Sequence, residues 1–360
     1  MLIIRPVSSD GGVGFYYDNI KSHFTCQVRY FNTGERKKND MLLFRQIREY
    51  YYFVRELILG KYDLVHINPS LRLRAVIRDA IFLLISKLFR KKIVVFFRGW
   101  DDELEIRIKK RFSRLFGAVY FSADTIIVLA ARFKNSLREM GYNKPVYLET
   151  TLVPDEIFDH AYRKYSKNGM PDKMNILFLS RIEKYKGVYE AVDAYIILKE
   201  KYPHITMTLA GNGSELKNIK DYLKHKQVHD VEMSGWIDGE RKVQAYKNAD
   251  IYLFPTYGEG MPNSLLEAMA YGLPVITCPV GGIKDFFQNG LMGYLIDSIE
   301  PENLAGLCEK LMIDSRKRAG IGQYNRKYAM KHFVASSVCK RLESIYESIM
   351  VTTRETPVNP

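Results

Sequence analysis

The residues of this 360-residue chain best suited to chemistry lie in one run, Pro255-Thr256-Tyr257-Gly258-Glu259-Gly260-Met261-Pro262-Asn263-Ser264-Leu265-Leu266-Glu267-Ala268-Met269-Ala270. The run follows an apolar β-rich segment and leads into a helical pattern, with Pro262 near the first turn, where proline is tolerated. Amides of residues 261–264 at that helix start point outward at the positive end of the helix dipole, a setting that favours a phosphate or sugar oxygen. Glu259, beside those amides, can accept hydrogen bonds from sugar hydroxyls. Glu267, about two turns further on, can reach a ribose diol.

Four further segments accompany the run in fixed order: Phe178-Leu179-Ser180-Arg181-Ile182-Glu183-Lys184-Tyr185-Lys186-Gly187 and Leu209-Ala210-Gly211-Asn212-Gly213, then Ser234-Gly235-Trp236-Ile237, and finally Val280-Gly281-Gly282-Ile283 continuing to Asn289-Gly290-Leu291-Met292-Gly293-Tyr294-Leu295. Together they resemble the glutamate-x7-glutamate signature and surroundings of family-4 retaining glycosyltransferases, over nearly all of residues 174–297. The resemblance implies a GT-B fold: α/β, with two Rossmann-like domains whose parallel sheets face each other across a cleft. It implies that Arg181 and Lys186 bracket a donor diphosphate and that Glu259 orients the sugar ring. It places Gly211 at the next strand turn and Trp236 and Ile237 beside a nucleobase. Gly260, Met261, Pro262, Asn263, Ser264, Leu265 and Glu267 then complete the donor site. Charge development supports the same roles, because a leaving nucleoside diphosphate gains negative charge that Arg181 and Lys186 can meet. Taken alone, the two cations read equally well as a solvated basic loop.

No Asp-x-Asp triplet occurs in the chain, so no metal and no cofactor is expected, the nucleotide-sugar being a substrate. Near the start, Ser9-Asp10-Gly11-Gly12-Val13-Gly14 follows the first apolar segment. Its glycines allow close backbone approach to a ligand, and by similarity to the family's first glycine loop Gly11, Gly12 and Gly14 are expected at the donor. Phe96-Phe97-Arg98-Gly99-Trp100-Asp101-Asp102 ends a buried strand pattern. Many family members carry a histidine before the glycine; Arg98 stands there instead and hints at an anionic group. Asp101 can orient an acceptor hydroxyl or cap the following helix, and His66, at another strand end, can face the cleft or pack inside. These three are possible acceptor or sugar contacts.

The elements that must position these residues alternate in βαβ rhythm. Strands are expected at 2–6, 24–30, 63–67, 92–97, 125–129 and 146–149, then at 176–179, 205–210, 231–234, 250–254 and 274–278. Helices are expected at 41–59, 71–89, 104–120 and 131–140, then near 187–201, 214–226, 239–248 and 262–271, with 301–313 and 315–350 ending the chain. The corresponding domains are an acceptor-binding domain at 1–153, a polar linker at 154–173, a donor-binding domain at 174–330 and a C-terminal helix at 331–360 packing back on the first domain.

Composition excludes a disordered chain, with 47% hydrophobic and 26% charged residues. Four cysteines without CxxC spacing suggest neither a zinc site nor a disulfide framework. With no signal peptide read at the start, a cytoplasmic location is expected, peripheral on the inner face of the membrane. Charge is uneven: residues 1–150 hold 27 Lys/Arg against 15 Asp/Glu, the rest 27 against 26. The basic stretch 71–92, with seven cations and only Asp79 as an acid, could meet anionic lipid or serve as an ordinary crossover helix. The expected partners are a nucleotide-sugar donor, a glycan or lipid-linked acceptor and an anionic membrane surface; no nucleic acid is expected, because neither stacking motif nor zinc spacing accompanies the charge. The expected function is retaining transfer of a sugar from a UDP- or GDP-sugar. The alternatives are a sugar-nucleotide epimerase of the same fold and a non-catalytic nucleotide-sugar-binding protein.

Overall fold

The computed structural model describes residues 1–7, 12–35, 41–159 and 173–351. The chain forms two units: unit 1 comprises Met1–Leu152 and the chain from Ala335 onward, unit 2 Val153–Val334. Each is built on a six-stranded, all-parallel sheet.

In unit 1 the strands are β1 (Leu2–Pro6), β2 (Arg29–Thr33), β3 (Leu64–Ile67), β4 (Lys92–Phe96), β5 (Thr125–Val128) and β6 (Val146–Leu148), in spatial order β2-β1-β3-β4-β5-β6. In unit 2 they are β7 (Met174–Leu179), β8 (Ile205–Ala210), β9 (Val231–Gly235), β10 (Ile251–Phe254), β11 (Val275–Thr277) and β12 (Gly293–Leu295), in order β9-β8-β7-β10-β11-β12. The central strands are near-continuous apolar runs because helices cover both faces of a parallel sheet; Val94, Val95, Phe96, Leu253 and Phe254 are wholly buried. The unit 2 order is that of the Rossmann fold, whereas unit 1 follows the flavodoxin-like order. No helix among the described residues is long and apolar enough to cross a membrane.

Several boundaries differ from the sequence expectation. Strand β2 starts at Arg29, not at residue 24, and β12 is a strand that periodicity did not single out. The expected helix 104–120 is interrupted by a π-helical turn, Ile108–Phe112. The expected helix 315–350 is two, Ser315–His332 and Ala335–Val351. Val153 donates its amide to Phe333 O (2.9 Å) and bridges Val334, which fixes the break where the chain passes from unit 2 to unit 1. The boundary is therefore 334/335, not 330/331. The expected linker begins as a 3-10 turn, Asp155–Asp159, with Ile157 in the unit 2 core; residues 160–172 lie outside the described residues.

Within unit 1 the C-terminal helix is tied down by polar contacts at the ends of strands. Arg341 forms a two-point pair with the buried Glu149 carboxylate (2.6 and 2.9 Å), and Tyr346 meets His66 Nδ1 at 2.7 Å. Beyond β3 and β4, Ser70–Leu71 pairs in parallel with Gly99–Trp100, prolonging the carboxyl edge of the sheet. That extension is anchored by buried Glu105, which accepts from Trp100, Ser136, Lys109 (2.8 Å) and Arg132 (3.1 Å). Burial alone would raise the Glu105 pKa, but hydrogen bonds from Lys109, Ser136 and Trp100 outweigh it and bring the carboxyl down to about 2 from 4.5. Its stabilising contribution is thus complete above the unfolded value and lost as pH falls through the folded one. Glu105→Ala is expected to destabilise unit 1 by about 3 kcal/mol in urea unfolding at neutral pH. The gap between parent and variant should shrink as pH falls from 4.5 toward 2; an unchanged gap would contradict this account.

Candidate functional site

In unit 2 the strand order reverses between β7 and β10, and ligands of open α/β sheets bind outside the carboxyl ends of strands at such a point. The loop after β7 carries Arg181 and Lys186; the loop after β10 carries Glu259 and opens into the helix Asn263–Ala270. The two loops are stitched together. Tyr257 N donates to Tyr185 O (3.0 Å), and Gly187, at φ +72°, lies so close that a Cβ there would sit 2.0 Å from Pro255 O. Gly211 and Gly281 serve neighbouring loops alike: a Cβ would meet Ser180 O at 1.8 Å and Glu259 O at 2.0 Å respectively.

This stitching brings Lys186 and Glu259, 73 residues apart, into a direct ion pair, with side-chain exposures of only 6% and 11%. The ammonium also lies over the Tyr185 and Phe254 rings, 4.8 and 5.7 Å from their centroids. Arg181 is exposed and donates to the Tyr185 hydroxyl. Cation, carboxylate and the helix start thus share one strand-end platform. Asn263 begins the helix, and its buried Oδ1 has no hydrogen-bond partner.

Glu267 lies inside the helix, 3% exposed. Lys242 Nζ (2.8 Å) and the Tyr246 hydroxyl (2.9 Å) each donate to its carboxylate. Burial, then the Glu267 charge, pushes the Tyr246 hydroxyl well above its ordinary pKa and keeps it a donor. Tyr252 donates to Leu179 O (2.9 Å) and shares a hydroxyl–hydroxyl hydrogen bond with Ser264 Oγ (2.7 Å). Tyr185, Lys242, Tyr246 and Tyr252 were not singled out from the sequence. Tyr185 lies between the two cations and was findable there, whereas the other three reach the site only through tertiary packing.

Of the remaining expected donor contacts, Gly260 accepts from Gly282 N at 2.7 Å; Met261 is half-buried, while Pro262 and Leu265 are buried. Gly211 N donates to Gly235 O (2.7 Å) beside Trp236, which is exposed, and Ile237, which is buried. Two open depressions of about 420 Å³ each adjoin the platform through Tyr257. Arg181, Lys186 and Glu259 line neither. The first presents Glu183, Glu190 and Glu215, an acidic lining that repels phosphate.

In unit 1, Gly12 and Gly14 form the first turn of the helix Gly12–Ile20; Gly11 lies outside the described residues. Of its two readings His66 takes the packed one: it is wholly buried, its ring nitrogens engaged by Tyr346 and Tyr17 (3.3 Å). Burial, and then Arg98, lower its pKa to about 3, so it stays neutral. Asp101 is the N-cap of the next helix, accepting from Leu104 N at 2.8 Å. Arg98 is sandwiched between aromatic faces, 3.8 Å from the Tyr16 centroid and 4.3 Å from that of Phe96. Its amide donates to Pro69 O (2.8 Å), and its buried Nη1 has no hydrogen-bond partner. Among the described residues no three His, Cys, Asp or Glu gather to hold a metal ion.

Residues 163–328 match the family described as glycosyl transferases group 1. An uncharacterised glycosyltransferase of Methanocaldococcus jannaschii is 24% identical over 75% of this chain and 71% of its own. The capsular polysaccharide biosynthesis glycosyltransferase CapM of Staphylococcus aureus is 27% identical over 62% and 57%. The chain spans about half the length of two further relatives, a D-inositol 3-phosphate glycosyltransferase of Paenarthrobacter aurescens and spore coat protein SA of Bacillus subtilis. Among solved structures, Anabaena HepE in complex with UDP-glucose superposes with a TM-score of 0.75 at 17% identity, covering 96% of this chain and 99% of that one. Sucrose-phosphate synthase of Thermosynechococcus elongatus gives 0.72 at 16%, covering 98% and 100%. The fold is GT-B, and the family match and relatives support a glycosyltransferase.

The glycine contacts generate a paired test. Gly281 (φ +53°) and Gly290 (φ +84°) both occupy the left-handed region, but a Cβ meets backbone only at Gly281. Gly290→Ala is expected to cost about 1 kcal/mol from backbone strain alone. Gly281→Ala should cost about 3 kcal/mol, because the Glu259 loop must move. Equal melting temperatures for the two variants would refute this origin of the loop stacking.

Proposed function

We propose that the chain is a retaining, metal-independent glycosyltransferase of the glutamate-x7-glutamate type, transferring a sugar from a UDP- or GDP-sugar to a glycan or lipid-linked acceptor of surface-polysaccharide assembly. The observation that carries this reading is the Lys186–Glu259 pair beside Arg181 and the helix start, at the strand-order reversal of unit 2. Arg181 and Lys186 receive the charge that develops on the leaving diphosphate, a role that elsewhere falls to a metal ion. Amides at the start of the helix Asn263–Ala270 hold the phosphate or sugar oxygens. Glu259 orients the sugar hydroxyls, and Glu267, fixed by Lys242 and Tyr246, turns its remaining lone pairs to the ribose.

Retention follows if the acceptor attacks the front face of an oxocarbenium-like centre. The departing phosphate oxygen then takes the acceptor's proton, so no protein base is required. The carbon–oxygen bond to the nucleoside diphosphate breaks as the bond to the acceptor forms. Arg98, a guanidinium with an unpartnered buried Nη1, suits an anionic group on the acceptor.

The test is release of nucleoside diphosphate across a panel of nucleotide sugars, beginning with UDP-glucose, with and without lipid extract and EDTA. One donor should be turned over, faster with extract and at the same rate with EDTA. Loss of turnover in EDTA, restored by Mg²⁺ or Mn²⁺, would reject metal independence. Conversion of the donor without release would favour an epimerase, and binding alone a non-catalytic protein. Glu259→Gln, which keeps an acceptor for Lys186, is expected to lower kcat by about 10²–10³ with the fold intact. Undiminished activity would remove Glu259 from the mechanism.

A further inference from the structure

Unit 1 exposes an apolar surface that its own core does not use. On the helix Leu73–Leu88, Phe82 and Leu83 are buried, whereas Leu73, Ile77, Ile81, Leu84 and Leu88 are exposed. At about 100° per residue those five fall within an arc of roughly 80°. Ile77 is 57% exposed and Leu88 79%. The neighbouring helix Leu42–Leu59 repeats the arrangement: Phe53 and Leu57 point inward, and Leu43, Phe44, Ile47, Tyr51 and Ile58 point outward. The two helices pack through Tyr50, Phe53 and Phe82, with ring centroids 4.9 and 5.0 Å apart, so the apolar stripes lie side by side. Contiguous exposed apolar surface on this scale marks an interaction face.

Its charge identifies the partner. Residues 41–92 carry 11 Lys/Arg against four Asp/Glu. The acids of the two helices are engaged locally: Asp79 is buried against Arg78 (2.7 and 2.8 Å), Glu49 accepts from Gly34 N, and Glu56 from Tyr62. Arg74 and Lys87, both exposed, flank the Leu73–Leu88 stripe on either side. An apolar stripe rimmed by cations complements the headgroup boundary of an anionic bilayer, where aliphatic side chains enter the acyl region and cations meet phosphate. We propose that unit 1 docks on anionic lipid through the outward faces of Leu42–Leu59 and Leu73–Leu88, lying on the membrane and not spanning it. The inference stands apart from the reaction proposed above, and its test does not read turnover.

Vesicle sedimentation of the full chain tests it, with phosphatidylcholine alone and with phosphatidylglycerol mixed in. Binding should require phosphatidylglycerol and weaken with salt. Ile77→Glu with Leu84→Glu should weaken it about a hundredfold, and Arg74→Glu with Lys87→Glu about thirtyfold, with unchanged melting temperatures. Absence of binding to anionic vesicles would overturn the proposal, as would binding by the doubly substituted chains at parental strength. So would light scattering that shows a dimer which Ile77→Glu with Leu84→Glu converts to monomer, since the face would then belong to a second copy.

Discussion

The Lys186–Glu259 ion pair is the constraint around which unit 2 is arranged. Two opposite charges this shielded are costly to bring together and more costly to separate, so both loops must be held at fixed spacing. The spacing is set by backbone lying on backbone: Gly187 against Pro255, Gly211 against Ser180, Gly281 against Glu259. A side chain at any of these positions would part the loops by more than a hydrogen bond can tolerate. The strand-order reversal between β7 and β10 supplies the crevice, and the glycines make it narrow enough for a carboxylate from one loop to reach an ammonium from the other.

Much of the fold was legible because parallel strands buried on both faces leave short apolar runs, separated by helices of 3.6 periodicity. Ile205–Ala210 and Leu2–Pro6 are visible in that way and occur where the pattern puts them. The misplacements have local causes. Residues 24–28 are apolar enough to read as strand, but the β2 ladder begins only where Arg29 pairs with Leu2. The break at Phe333–Val334 leaves no mark on helical periodicity, because it is made by the bridge to Val153, nearly two hundred residues away.

The site was legible wherever its residues are neighbours in sequence. Glu259, Glu267 and the helix start belong to one segment, and Arg181 and Lys186 to another. What pattern could not reveal is which groups finish each other's hydrogen bonds. Lys242 and Tyr246 come from the helix Gly239–Asn248 to hold Glu267, and nothing in their spacing signals it. His66 reads two ways in sequence for the converse reason: a strand-end histidine has the same signature whether it faces solvent or, as here, two tyrosine hydroxyls in the core.

The charge asymmetry between the halves takes on physical meaning through these pairings. In unit 2, cations of the site face carboxylates directly, as in Lys186–Glu259 and Lys242–Glu267. Under the proposed function, a diphosphate, which carries more charge than one carboxylate, would compete for Lys186 on better terms, and Glu259 would be left with lone pairs for sugar hydroxyls. Unit 1 has such pairs too, Asp79, Glu105 and Glu149 each meeting an arginine, but residues 1–150 hold 27 Lys/Arg against 15 Asp/Glu, so cations remain in excess. That excess outlasts the pairings and gives the unit a positive field.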